Sequence, residues 1–312
     1  MADDFLQSLS FMLWLWIVLI SQFCNAGAQL LDKFLLTKKF PRPGVLTFWT
    51  AVGNLLGVVF VFWDFNFQPS WSVLIWSLVS GATFTIALQF LYMGLKTGEA
   101  SHIAPLVGGV VPVASFVLSY FLLGERLTMV QAAAVGLLVL GALLISSEKS
   151  QRHSGVHIGM LWAVLAGVFF AVSYVVARYT YLQDTFSTGF VLARLGSFVA
   201  ALPLLFSPGV RRLIFARDKA TAAKEKSGLL ILAVNKVLAA IYFIGMNYAI
   251  SLASATLVNA LAGLQYAILF VLIYILSAGH PKFFHEQFTR REVVQEIFAL
   301  LLIFAGLVLV VS

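Results

Sequence analysis

The sequence predicts an all-α membrane protein of ten transmembrane helices, arranged as two inverted five-helix repeats. Three observations lead there: a composition poor in charge, ten apolar stretches of membrane-crossing length, and an ordered set of matches between the halves. Of 312 residues, 61% are hydrophobic and 11% charged, against about 25% charged in an ordinary soluble domain. A hydrocarbon core about 30 Å thick needs roughly 20 apolar residues at about 1.5 Å each. That ruler places spans at 11–31, 45–63, 71–94, 101–122, 128–146, 158–179, 187–206, 228–250, 254–276 and 293–311. They must be helices, because lipid offers no partner to open backbone groups and the runs are too long for barrel strands.

Taken in order, the first span follows an acidic start, Asp3 and Asp4, where a cleaved signal would carry positive charge, so it is expected to be retained. It holds the only cysteine, Cys24, which excludes an internal disulfide and a cysteine-rich metal site. Turn chemistry separates the spans: Pro-Arg-Pro-Gly at 41–44, Gln-Pro-Ser at 68–70, Ser-Pro-Gly at 207–209 and Ala-Gly-His-Pro at 278–281. Residues 148–157 read as a mid-chain linker. The basic stretch 209–227 reads as a loop with a short interfacial helix.

The halves match in order. Trp14 corresponds to Trp162, Asn25 to Ser173, Gly53-Asn54 to Gly196-Ser197, Ala100-Ser101 to Ala253-Ser254, and Glu125 and Thr128 to Glu286 and Thr289. Five spans is an odd number, so two sequential copies must insert upside down relative to each other. The repeats are then 1–147 and 158–312. Inverted repeats of this kind place a substrate site near the bilayer midplane, between the copies.

Polar residues within spans are costly and mark candidates for that site. Gln22, Asn25 and Gln29 share one face of the first helix; Gln89 and Tyr92 lie three apart in the third, with Tyr242 at the position matching Gln89. Each reads either as a helix-to-helix hydrogen bond or as the lining of a cavity. His102 opens the fourth span near Pro105 and Pro112, and reads as a packing or interfacial residue or as part of the site. Arg194 and Lys236 are the two embedded cations, readable as snorkelling groups or as contacts for a carboxylate or phosphate. Tyr174, Asn259 and Gln265 complete the candidate set. Acidic residues are confined to span ends, which argues against a pump for cations and favours neutral, zwitterionic or anionic solutes.

The net charge of +7 does not signal nucleic-acid binding, because the bases occupy short loops rather than one face. All 20 of them, save Arg126, Arg178, Arg194 and Lys236, fall in loops after odd-numbered spans. The positive-inside rule then puts those loops in the cytoplasm and both termini outside. Arg126 and Arg178 are counted with the loops after even-numbered spans.

The run Ala100-Ser-His-Ile-Ala-Pro105, then Pro112, then Gly124-Glu125-Arg126-Leu127-Thr128, together with Trp14, Asn25 and the five-plus-five repeat, resembles the drug/metabolite transporter superfamily, EamA-type. The resemblance covers nearly all of 11–311, although Gln265 stands where the second half should match Pro112. It implies exchange or export of small metabolites by alternating access, and cytoplasmic termini, in conflict with the charge count.

The reading is therefore a secondary active transporter of a small polar metabolite in the cell membrane, amino-acid-like, nucleotide-sugar-like or an organic acid. Its partners are that solute and the lipid bilayer, with a homodimer left open and no cofactor or metal expected. The rivals are a non-transporting receptor or assembly factor, and an intramembrane enzyme, which would need His102 to meet a carboxylate such as Glu99. HExxH, P-loop and GxSxG motifs are absent, which argues against an enzyme.

Overall fold

Apolar runs of this length fold as helices, and the structure, a computed structural model, has no other regular element among the residues it describes. These are 13–28, 31, 43–63, 67–97, 100–145, 158–215, 226–265, 268, 271–272 and 290–311. Helix α1 is Leu13–Ala28. Helix α2, Pro43–Asn54, runs on as a 3-10 segment, Leu55–Trp63. Then come α3 (Trp71–Thr97), α4 (Ala100–Leu122) and α5 (Met129–Ile145). After the linker follow α6 (Ile158–Gln183) and α7 (Phe186–Ala201), the latter with a 3-10 extension, Leu202–Phe206. The short α8 (Pro208–Phe215) lies in the basic loop, carries exposed Arg211 and Arg212 and buries Val210. Helices α9 (Lys226–Leu252), α10 (Ala255–Ala260, then a 3-10 turn Leu261–Gly263) and α11 (Arg290–Val311) complete the order.

Three stretches are each long and apolar enough to cross a membrane: α3, α6 and Phe186–Phe206. Leu13–Ala28, Leu106–Leu122, Met129–Gly141 and Ile297–Leu309 are shorter apolar helices. The outer surface agrees. Trp16, Leu56, Phe62, Trp71 and Phe121 are all more than half exposed, an apolar surface suited to lipid rather than water. One boundary needs correction. The sixth helix continues to Gln183, so Arg178 belongs to the helix and not to the loop after it.

Lipid gives helices no hydrophobic reason to associate, so close packing and hydrogen bonds must hold them. Small residues supply the first. A Cβ on Gly81 of α3 would lie 1.8 Å from the carbonyl oxygen of Ala193, so the α3 and α7 backbones touch. Between α5 and α11 the fit is reciprocal: a Cβ on Gly141 would meet Ile303 at 2.6 Å, and one on Gly306 would meet Leu138 at 2.7 Å. Hydrogen bonds supply the second. Ser80 donates to the Ser173 carbonyl (2.9 Å) and Ser173 returns one to the Ser80 carbonyl (2.8 Å), tying α3 to α6. Asn235 of α9 donates to the Ala28 carbonyl of α1 at 2.8 Å. Helix α3 thus lies along α6 and α7, α4 lies on α6, and α5 lies on α11.

The Gly-Glu-Arg-Leu-Thr turn has a physical explanation residue by residue. Gly124 turns the chain at φ 65°, a left-handed conformation that glycine adopts without strain. Thr128 caps α5: its hydroxyl accepts from the Gln131 N–H (3.2 Å), and Gln131 accepts in return from the Thr128 N–H (3.0 Å). Glu125, between them, is held out toward α6 and α10.

Candidate functional site

Arg194 is the most unusual side chain in the interior. It lies near the middle of the Phe186–Phe206 stretch, is 3% exposed, and has no carboxylate beside it among the described residues. The α3–α7 crossing at Gly81 brings Phe84 of α3 to it. Gly57 on the 3-10 segment after α2 leaves room for its stem, since a Cβ there would come within 3.0 Å of the Arg194 Cγ. Three rings surround the guanidinium, with Phe243 at 4.2 Å, Phe190 at 4.7 Å and Phe84 at 5.6 Å from centroid to Cζ. Tyr174 and Tyr181 of α6 are close enough to interact electrostatically with it, and Tyr242 of α9 neighbours Tyr174.

The energetics do not balance within the protein alone. Burying an unpaired cation costs several kcal/mol. Each ring face returns about 1–2 kcal/mol when desolvated, but a ring is a poor substitute for a hydrogen-bond acceptor. Nε and Nη1 of Arg194 are buried with no acceptor among the described residues. These two nitrogens lie on different edges of the planar group, so each bidentate edge keeps an open donor.

The second inward-facing arginine, partly buried, has a carboxylate and two carbonyls as partners, although its Nε, like that of Arg194, makes no hydrogen bond among the described residues. Arg178 donates through Nη1 to the carbonyls of Ile250 (3.0 Å) and Ser251 (2.6 Å), and its Nε lies 3.5 Å from Glu125 Oε1. Ser254, which caps α10, donates to Glu125 Oε2 at 2.8 Å. The α4–α5 turn, α6 and the α9–α10 turn are locked together at one end of the bundle.

The structure brings Arg194, Tyr174 and Tyr242 together out of the candidate residues. Most of the others bridge helices. Asn25 donates to Gln265. Gln22 Nε2 faces the Met246 sulfur at 3.3 Å while its buried Oε1 has no partner. Gln89 accepts from Thr47 (2.8 Å), Tyr92 and Thr50 hydroxyls lie 3.3 Å apart, and Asn259 donates to Ser115 (3.1 Å). Lys236 is exposed on α9, while its neighbour Asn235 is buried. His102 belongs to α4, but its side chain lies outside the described part, as do Gln29, Glu99 and Glu286. Sequence reasoning missed the cage itself, Phe84, Phe190 and Phe243. In a chain with 28 phenylalanines nothing separates these from lipid-facing rings. It also missed the Arg178–Glu125 pair, for which the Glu125 of the turn motif was the available signal.

No curated protein matches the chain. A solved crystal structure, described only as a "Crystal structure of protein", aligns with TM-score 0.66 and 18% identity, over 94% of this chain and 95% of that one. This is a likeness of fold. The EamA-like transporter family matches residues 12–147. That stretch begins at α1 and ends just past α5, and includes the turn motif at Gly124–Thr128. Over residues 12–147, then, the chain is similar to the EamA-like transporter family, a multi-pass membrane family.

Proposed function

We propose that the protein is a secondary transporter that moves a small polar metabolite across the cell membrane by alternating access between two inverted five-helix units, residues 1–147 and 158–312. The observation that carries this reading is that positions matched between the halves meet each other. Asn54 and Ser197, equivalent by the repeat, are hydrogen-bonded at 3.4 Å, as residues beside a pseudo-two-fold axis would be. Three further features support it. The second and seventh spans both end in a 3-10 segment. The fifth and tenth spans interlock through one glycine from each. The third span hydrogen-bonds to the sixth, and the eighth to the first, as an exchange of halves requires.

An alternating carrier needs a polar interior that two rigid bodies can expose in turn, and the interior here holds Arg194, Tyr174, Tyr242 and the unpartnered Gln22 Oε1. A receptor or assembly factor would have no use for these costs. The charge pattern favours both termini outside, with the basic loops in the cytoplasm. An alkaline phosphatase fusion at the C-terminus should be active, and cytoplasmic fluorescence from the same site would reverse the orientation. The carrier reading is tested by counterflow. Purified protein in liposomes preloaded with single members of a metabolite panel should accelerate saturable uptake of the labelled counterpart for at least one solute. Vesicles that exchange nothing faster than empty ones would favour the receptor reading.

A further inference from the structure

The carrier reading leaves the solute class open; Arg194 narrows it. Resting on that reading, we infer that Arg194 binds the carboxylate of a monoanionic substrate with a flat apolar body, which the phenylalanines around the guanidinium receive. Four observations on different residues converge. The first is the pair of buried donors, Nε and Nη1, that no described residue accepts from. A carboxylate on either edge of the guanidinium would take one of them within a bidentate pair, the geometry for which arginine is suited and lysine is not.

The second is charge. Arg178 is already paired with Glu125 and Lys236 is exposed, so among the described residues Arg194 is the buried cation without a carboxylate. A single negative charge matches it, whereas a diphosphate would enter with a charge left over. The third is the lack of a counterpart for an ammonium group. Among the described side chains the acidic ones are Glu125, committed to Arg178 and Ser254, and Asp184 in the α6–α7 turn, where it accepts from the Thr185 N–H. A zwitterionic amino acid would bury its ammonium without a carboxylate, so a simple acid is preferred.

The fourth is the wall. Phe84 contacts Phe170 and Phe243 edge-on at 5.4 and 5.3 Å, and Phe170 stacks with Tyr174 at 6.1 Å. Edge-to-face and offset-stacked contacts are the ones aromatic groups favour, and a substrate ring would make the same kind of contact with this wall. Packing alone does not account for the arginine, because a methionine or leucine would fill the same cage without leaving donors unmet.

The experiment uses the full-length protein in detergent and in liposomes, with phenylacetate, phenylacetamide, phenylalanine and benzylphosphonate as probes. Phenylacetate should raise the unfolding temperature saturably, while the isosteric amide and the zwitterion do so at least about tenfold more weakly. Arg194→Gln should abolish the response to phenylacetate, and Arg194→Lys should retain a weakened one, since the charge stays and the fork is lost. If Arg194→Gln does not fold, Arg194→Lys and Arg194→Met carry the same comparison. Equal responses to acid and amide, or an unchanged response in Arg194→Gln, would overturn the assignment. A stronger response to benzylphosphonate than to phenylacetate would also overturn it, in favour of a phosphate. Counterflow of labelled benzenesulfonate, an anion that does not cross lipid unaided, separates this inference from the carrier reading. Arg194-dependent binding without counterflow keeps the site and removes the carrier. Counterflow of neutral solutes alone keeps the carrier and removes the site.

Discussion

Arg178 and Arg194 lie on consecutive helices of the same bundle, both inside the protein, in opposite states. Arg178 has a carboxylate at 3.5 Å and two carbonyls on one nitrogen, and it joins three segments at one end of the molecule. Arg194 has three aromatic faces and donors that meet nothing. Among the described residues both keep an Nε without a hydrogen bond, but only Arg178 has a counter-charge beside it. On the proposed reading the two differ in purpose: Arg178 ties segments of the structure together, and Arg194 awaits an anion from outside.

The contrast is broken most forcefully at Glu125. Glu125→Ala leaves Arg178 largely buried without its counter-charge, which should cost about 3 kcal/mol. Thermal unfolding of the purified variant, followed by tryptophan fluorescence, should show a large fall in midpoint. A midpoint equal to that of the wild type would mean that Arg178 relies on its carbonyl partners alone. The double variant Glu125→Ala with Arg178→Met should recover much of the loss, because removing both members of a buried pair is far milder than removing one.

How much of this was legible beforehand depends on what each kind of signal encodes. Helical and membrane character were readable, because apolar length is a property of local sequence; α3, α6 and α7 begin within one residue of their expected starts. The turn at Gly124–Thr128 was readable as a motif, and its cap and left-handed glycine follow from residue chemistry. The pairing of polar residues was not readable. Asn25 with Gln265 and Gln89 with Thr47 are distant or off-pattern partners that only helix packing brings together. The two embedded cations, Arg194 and Lys236, looked alike in sequence. One is buried and the other exposed, and on α9 it is the neighbouring Asn235 that is buried against α1.

The second test sharpens the comparison through the helix crossing that sets Phe84 against Arg194. Gly81→Ala puts a methyl group where the Ala193 carbonyl oxygen lies, so α3 and α7 must separate. Such overpacking costs about 1–3 kcal/mol, and it should weaken the phenylacetate response as the cage opens. Gly53→Ala is the control, with nothing within 4 Å of the added Cβ. If the Gly81 variant matches that control in both readouts, the crossing is not what forms the cage.

A third test falls on the neighbouring pair in α9. Asn235→Ala removes a buried donor and strands the Ala28 carbonyl, which should cost about 1–2 kcal/mol of stability. Lys236→Ala removes an exposed charge and should leave both stability and anion binding within error of the wild type. A loss of phenylacetate binding in the lysine variant would bring Lys236 into the site and raise the ligand charge that the interior can accept.

The smallest change in stability is expected where the functional loss is greatest. Arg194→Met keeps an unbranched side chain in the Phe84–Phe190–Phe243 cage and removes a buried charge that lacks an anion. Replacing buried ionic groups with apolar ones of similar volume is often neutral or stabilising, by about 1–4 kcal/mol when a whole pair is replaced, and the three lost cation–π contacts offset part of that gain. The unfolding midpoint should therefore stay level or rise, while the phenylacetate response disappears. A steep fall in midpoint would show that Arg194 holds the bundle together as Arg178 does, and the two arginines would then differ in partners but not in purpose.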